Sequence, residues 1–145
     1  VLMLRNLENN LCGMQVRNLH KDAKPKYITQ FINDTSDVAW FNNKTTTLAI
    51  TEDYLSAYRI NRDMGFTSMA LLRTSLTDKT LMQIYDAGFK EIWIWLDNDE
   101  AGMKGAYKVS KTLRHFLPAE VKIVTVTSDK EPKQCTPKEI ENTFI

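Results

Sequence analysis

Cysteine, histidine, one-sided charge and long apolar runs are all scarce in this chain, and each scarcity closes off a class of protein. Cys12 and Cys135 are its only cysteines, too few for a disulfide framework or for the four ligands of a structural zinc site, so a reducing, cytoplasmic setting is expected. His20 and His115 are isolated, and neither is a candidate metal or catalytic residue. The formal net charge is +1, which gives no global positive field to announce nucleic acid, although local basic clusters are compatible with a neutral whole. No stretch reaches the roughly 20 apolar residues needed to cross a bilayer, and no basic-then-apolar leader opens the chain, so no membrane partner is expected. The chain starts at Val1 rather than Met, which suggests a piece of a longer protein.

What is present is the composition of an ordinary globular domain. With 43% hydrophobic and 26% charged residues over 145 positions, the chain suits one hydrophobic core. Val1–Leu7 and Leu11–Leu19 are short apolar-containing runs around Glu8-Asn9-Asn10, a pattern that predicts a β-hairpin turned at the Asn pair. Residues 20–46 mix polar residues, Pro25 and isolated aromatics without a sustained period, which predicts loops with one or two short strands.

From Thr47 the pattern changes to strand followed by helix. Thr47–Thr51 is β-rich, and Asp53–Met64 then places Leu55, Tyr58, Ile60 and Met64 at helical spacing before Gly65. The unit repeats with a strand at Thr67–Leu72 and a helix from Thr77 to near Gly88, whose Leu81, Ile84 and Tyr85 share a face. Strand Glu91–Leu96, helix Glu100–Leu117 stopped by Pro118, and strand Val121–Val126 follow. Thr136-Pro137-Lys138-Glu139 is a capping box with Pro at the first helical position, so a last helix is expected to start there and to be cut at Ile145. Alternating strands and helices predict an α/β fold with a parallel sheet covered on both faces.

Right-handed crossovers place the carboxyl ends of all parallel strands on one edge. Glu52 directly follows the first core strand, and Asp97 and Asp99 directly follow the third. A core strand order of 2-1-3-4 would put the switch point between those two strands and bring the three carboxylates together. Gathered acids repel unless a hard cation neutralises them, and an oxygen-only ligand set suits Mg²⁺, with Mn²⁺ as a substitute. Asp99 and Glu100 equally suit the N-cap and first turn of a helix. A calcium loop fails, because the twelfth position from Asp97 is Lys108 where a bidentate Glu is required.

Leu48-Ala49-Ile50-Thr51-Glu52 and Trp95-Leu96-Asp97-Asn98-Asp99-Glu100-Ala101-Gly102 resemble the two signature motifs of the TOPRIM domain, which occurs in primases, topoisomerases, small ribonucleases and some repair proteins. Two further runs resemble DnaG-type and phage primases in particular. Cys12-Gly13-Met14-Gln15-Val16-Arg17 with Pro25-Lys26-Tyr27-Ile28-Thr29 is similar to the segment upstream of TOPRIM in those enzymes, and Lys130-Glu131-Pro132 is similar to their Lys-Asp-Pro stretch. The sequence departs from the family pattern at Asp53, where Gly is usual, at Ser56, where Asp is usual, and at Glu131, where the tail Asp is usual.

The resemblance implies a TOPRIM fold, with a small four-stranded parallel sheet flanked by helices and preceded by a short β-rich segment. It divides the chain into a remnant of the primase polymerase domain over residues 1–44, a catalytic TOPRIM domain over 45–132 and the start of a C-terminal helix over 133–145. It implies that Asp97 and Asp99 are metal ligands and that Glu52 is a ligand or the general base. Arg17 and Lys26 would contact nucleotide or template, and Arg73, at a position where Gly is common, would lie near bound phosphate. The implied activity is template-directed synthesis of RNA primers on single-stranded DNA from ribonucleoside triphosphates, with a replicative helicase in cis or in trans. The chain has neither a P-loop nor zinc-ribbon cysteines, so both would lie elsewhere. Two rival readings use the same fold: a metal-dependent nuclease, in which water replaces the hydroxyl nucleophile, and a degenerate, non-catalytic nucleotide-binding or nucleic-acid-binding module, for which Asp53 and Ser56 speak.

Overall fold

Leu2–Arg5 (β1) and Leu11–Arg17 (β2) pair antiparallel across a turn in which Asn9 takes a left-handed conformation, φ 70, one that Asn tolerates better than most residues. Tyr27–Phe31 (β3) adds antiparallel to β2, completing a three-stranded sheet in the order β1-β2-β3. These elements come from a computed structural model that describes residues 1–20, 22 and 27–145.

The second sheet contains Ala39–Phe41 (β4), Thr47–Thr51 (β5), Thr67–Ala70 (β6), Glu91–Trp95 (β7) and Lys122–Thr125 (β8), in the order β4-β6-β5-β7-β8. Its four parallel strands take the 2-1-3-4 order expected from the motif positions. A fifth strand, β4, runs antiparallel to β6 at the edge, so the sheet is wider than the four strands the sequence predicts. At three residues β4 is too short to display a period. Tertiary packing holds it: Trp40 is 2% exposed and stacks on Phe89 with ring centroids 6.4 Å apart.

Local chemistry sets the helix ends. Tyr54–Met64 (α1), Asp78–Ala87 (α2), Glu100–Phe116 (α3) and Pro137–Thr143 (α4) begin after Asp53, Thr77, Asp99 and Thr136, whose side-chain oxygens each accept a backbone N–H of the first turn. Gly65 and Gly88 close α1 and α2 at φ 72 and φ 71, where a side chain would be strained. Among the described residues no helix is long and apolar enough to cross a membrane.

The main core lies between the parallel sheet and its covering helices, where Leu48, Ile50, Ile92 and Ile94 are fully buried with Val109 and Leu113 of α3. Burying each such side chain stabilises the fold by about 1.5 to 3 kcal/mol. On the other face, Ala49, Ile60 and Trp95 pack with Cys135 and Ile140, so α4 is part of the body. Leu4 and Cys12 of the small sheet pack on Ala39, Ala57 and Ala70 with Tyr54 and Leu72 beside them. That contact seats the small sheet against the carboxyl end of β6 and the start of α1.

Gly102 is where α3 passes close to the β7 exit: a Cβ there would overlap the Asp97 carbonyl oxygen and lie 3.0 Å from Asp99 Oδ1. The nearer contact is with the backbone of the loop that carries the acids, which cannot swing aside as a flexible side chain could. Gly102→Ala should therefore lower the unfolding free energy by about 1 to 3 kcal/mol, read from the midpoint of urea unfolding.

A candidate acidic metal centre

Strand β5 ends at Thr51, whose hydroxyl donates to the Met69 and Asp53 carbonyls, 3.2 and 3.1 Å away. Across the ladder, Leu71 N–H donates to Thr51 O at 2.9 Å and Leu72 N–H to Glu52 O at 2.8 Å. Glu52 and Asp53 therefore leave the sheet on a backbone fixed by its neighbour. Asp53 then caps α1, accepting Ser56 N–H on Oδ2 at 3.4 Å, while its Oδ1 is buried with no hydrogen-bond partner.

The parallel register pairs Thr51 with Trp95, which sets Glu52 beside the residues leaving β7. Asp97 N–H donates to Glu52 Oε1 at 3.4 Å. Two residues on, Asp99 is exposed and caps α3, accepting Gly102 N–H at 2.6 Å. A third segment arrives from beyond β8. There Pro132–Gln134 forms a 3-10 turn capped by Glu131, and Lys133 N–H donates to Ser56 Oγ at 3.3 Å. The tether docks that turn on α1 and carries Glu131 to the acids.

Asp53, Asp97 and Glu131 each offer a carboxylate oxygen, all three within 4.8 Å of one another, the one such acidic group among the described residues. These oxygens, with the orphaned Asp53 Oδ1, fit a hard divalent cation by their chemistry. The group opens into a cleft of ≈ 400 Å³ walled on one side by Glu52, Asp53, Asp97 and Glu131 and on the other by Gln15, Tyr27 and Thr29 of β2 and β3.

The Toprim domain family model matches residues 46–127, more than half of the sequence. The chain belongs to the Toprim family. Its Toprim fold, with the small sheet included, superposes on the DnaG primase catalytic domain bound to ssDNA with a TM-score of 0.77 at 17% identity, covering 98% of this chain and 49% of that one. A DNA primase domain from Pseudomonas aeruginosa gives 0.76 at 17% identity, covering 98% and 47%. The primase fragment of the bacteriophage T7 primase-helicase protein gives 0.66 at 20% identity, covering 98% and 59%. At these identities the likeness is one of fold, and the chain spans about half the length of the primase structures it matches. No curated protein matches it in sequence.

Within the Toprim sheet edge, the residues singled out by sequence are divided. Glu52 and Asp97 meet at the cleft, and Asp99 is exposed and caps α3 through one carboxylate oxygen; of the three, Asp97 belongs to the closest acidic group. The other two members of that group are Asp53 and Glu131, both at positions where the sequence departs from the usual pattern. Arg73 lines the cleft and donates to Asp37 O at 3.2 Å. It follows Leu72, which holds a left-handed φ of 62, a conformation rare for a bulky side chain and typical of strained functional loops. Arg17 is exposed at the end of β2, with its guanidinium 5.9 Å from the ring centroid of Tyr27, which lines the cleft. Lys26 lies outside the described residues.

Electrostatics follow from this crowding. Burial, followed by the charges of Glu52, Glu131 and Asp53, pushes the Asp97 carboxyl up to about 7, with Lys133 pulling the other way. Burial also raises Glu52; hydrogen bonds from Asp97 offset part of the effect, and the charge of Asp99 adds to it. Folded Asp97 thus holds its proton to about pH 7, whereas an unfolded aspartate releases it near pH 3.9. Across that window the folded chain binds more protons, so metal-free stability falls as pH rises from about 4 to about 7. Urea unfolding in EDTA should give a lower midpoint at pH 8 than at pH 5, and Asp97→Asn should shrink the difference.

Proposed function

We propose that this chain is the catalytic metal-binding core of a DNA primase, adding ribonucleotides on a single-stranded DNA template. One observation carries the reading: the Toprim acids open into a cleft whose opposite wall is the small antiparallel sheet, and that whole arrangement, over 98% of the chain, shares its fold with primase catalytic domains. A nuclease on the same sheet would need the acids but not this second wall.

In this proposal Asp53, Asp97 and Glu131 hold Mg²⁺, or Mn²⁺ in its place. The bound cation supplies charge neutralisation at the phosphate under attack and acidity to the attacking hydroxyl. Glu52, its carboxyl raised by burial, sits beside Asp97 as the group that accepts the hydroxyl proton. Asp99 acts at one remove, fixing the start of α3 and adding negative charge to the edge. Arg73, held at the cleft by Asp37, pairs with the nucleotide phosphates, and Arg17 and Lys26 meet the template backbone. The partners are single-stranded DNA, ribonucleoside triphosphates and a replicative helicase in cis or in trans, in the cytoplasm of a bacterial or phage-infected cell. The division into a polymerase-domain remnant over 1–44, a catalytic unit over 45–132 and a C-terminal helix from 133 belongs to the same proposal.

Asp97→Asn keeps the shape of the side chain and removes its charge, so it should abolish primer synthesis by the intact parent protein and Mn²⁺ binding by the chain, with the fold retained by circular dichroism. Full primer synthesis by that variant overturns the assignment. An inactive parent that still binds Mn²⁺ points instead to a non-catalytic Toprim module. Arg17→Ala and Lys26→Ala should each weaken single-stranded DNA binding and reduce the slope of its salt dependence by about 1.

A further inference from the structure

Lys133 touches the acidic group from within. Its Nζ lies 3.0 Å from Glu131 Oε2 and 3.5 Å from Asp53 Oδ2, so it pairs with two of the three acids that come closest together. Asp97 and Lys133 also feel each other's charge. An isolated surface ion pair contributes little, but this one is built on fixed elements. The Lys133 backbone donates to Ser56 Oγ at 3.3 Å and its carbonyl accepts from Arg59 Nη1 at 3.3 Å, while Arg59 Nη2 donates to Cys135 O at 2.6 Å. Ser56 and Arg59 both belong to α1, the helix that Asp53 caps. Lysine and aspartate are thus held against each other by the same helix.

The ammonium does not satisfy the acids it faces. Asp53 Oδ1 stays buried without a partner although Oδ2 faces Lys133. Four carboxylates, Glu52, Asp53, Asp97 and Glu131, line the cleft together with this one lysine. Arg73 also lines the cleft but donates to Asp37 O, so Lys133 is the cation paired with these acids, and a divalent ion would supply twice its charge to the same oxygens.

We propose that Lys133 is a resident counter-ion that competes with the divalent cation for Asp53 and Glu131, so that metal loading is an exchange in which the ammonium leaves and the metal enters. The proposal rests on reading these acids as a divalent-cation site. Lys133 thereby sets the threshold concentration at which the site fills, and it lessens the repulsion among the acids while the metal is absent.

Mn²⁺ binding to the full 145-residue chain, followed by electron paramagnetic resonance, tests the exchange. Lys133→Met and Lys133→Gln should bind Mn²⁺ about tenfold more tightly than the parent, because the competing charge is gone. Lys133→Arg, which keeps the charge, should stay near the parent value. In EDTA the two neutral variants should melt lower than the parent, and Mn²⁺ should raise their melting temperature further than it raises the parent's. Parent-like or weaker Mn²⁺ affinity in both neutral variants overturns the exchange while leaving the metal site standing. Equal tightening by Lys133→Arg also overturns it, since charge would then not be the cause. Absence of Mn²⁺ binding in parent and variants alike overturns both the exchange and the metal reading.

Discussion

Parallel pairing of β5 with β7, in the register Thr51 with Trp95, is the contact on which the acidic edge depends. It brings Glu52 within 3.4 Å of the Asp97 amide although 45 residues separate them in the chain. A slip of one residue would turn Ile50 and Ile94 out of the core and move the acids out of line, because successive strand side chains point to opposite faces. The fully buried Leu48, Ile50, Ile92 and Ile94 oppose that slip. The apolar core thus fixes the position of the acidic edge.

That feature is costly to the fold. Asp97 is pushed up to about 7 by burial and by neighbouring acids, Leu72 holds a left-handed backbone, and a buried Asp53 oxygen has no partner. All three lie at the same cleft, where local strain and poor solvation are expected if the edge exists to bind something. The surroundings offset the cost with regular devices: N-caps on α1, α2, α3 and α4, glycine C-caps on α1 and α2, and a 3-10 turn hydrogen-bonded to α1.

The family match over residues 46–127 leaves the small N-terminal sheet outside it, yet that sheet forms the far wall of the cleft. Leu4 and Cys12 pack directly on Ala57 of α1 and Ala70 of β6. Toprim acids alone are compatible with several kinds of phosphoryl chemistry. The small sheet adds the polar side chains of Gln15 and Thr29 to the lining of the cleft that the acids open into.

Much of this was legible in the sequence, because it is encoded locally. The 3.6-residue and β-rich patterns, the capping residues Asp53, Thr77, Asp99 and Thr136 and the stops at Gly65 and Gly88 mark the helices and parallel strands within a few residues, since short-range sterics and hydrogen bonds decide them. The two motifs likewise placed Glu52 and Asp97 at strand ends. Two things were decided only by tertiary structure. β4 exists because Trp40 finds Phe89 from across the sheet, and three residues carry no readable period. Asp53, Glu131 and Lys133 converge because a tail segment docks on α1 through Ser56 and Arg59. Residues so far apart in the chain share no local pattern, and only the folded chain brings their charges together.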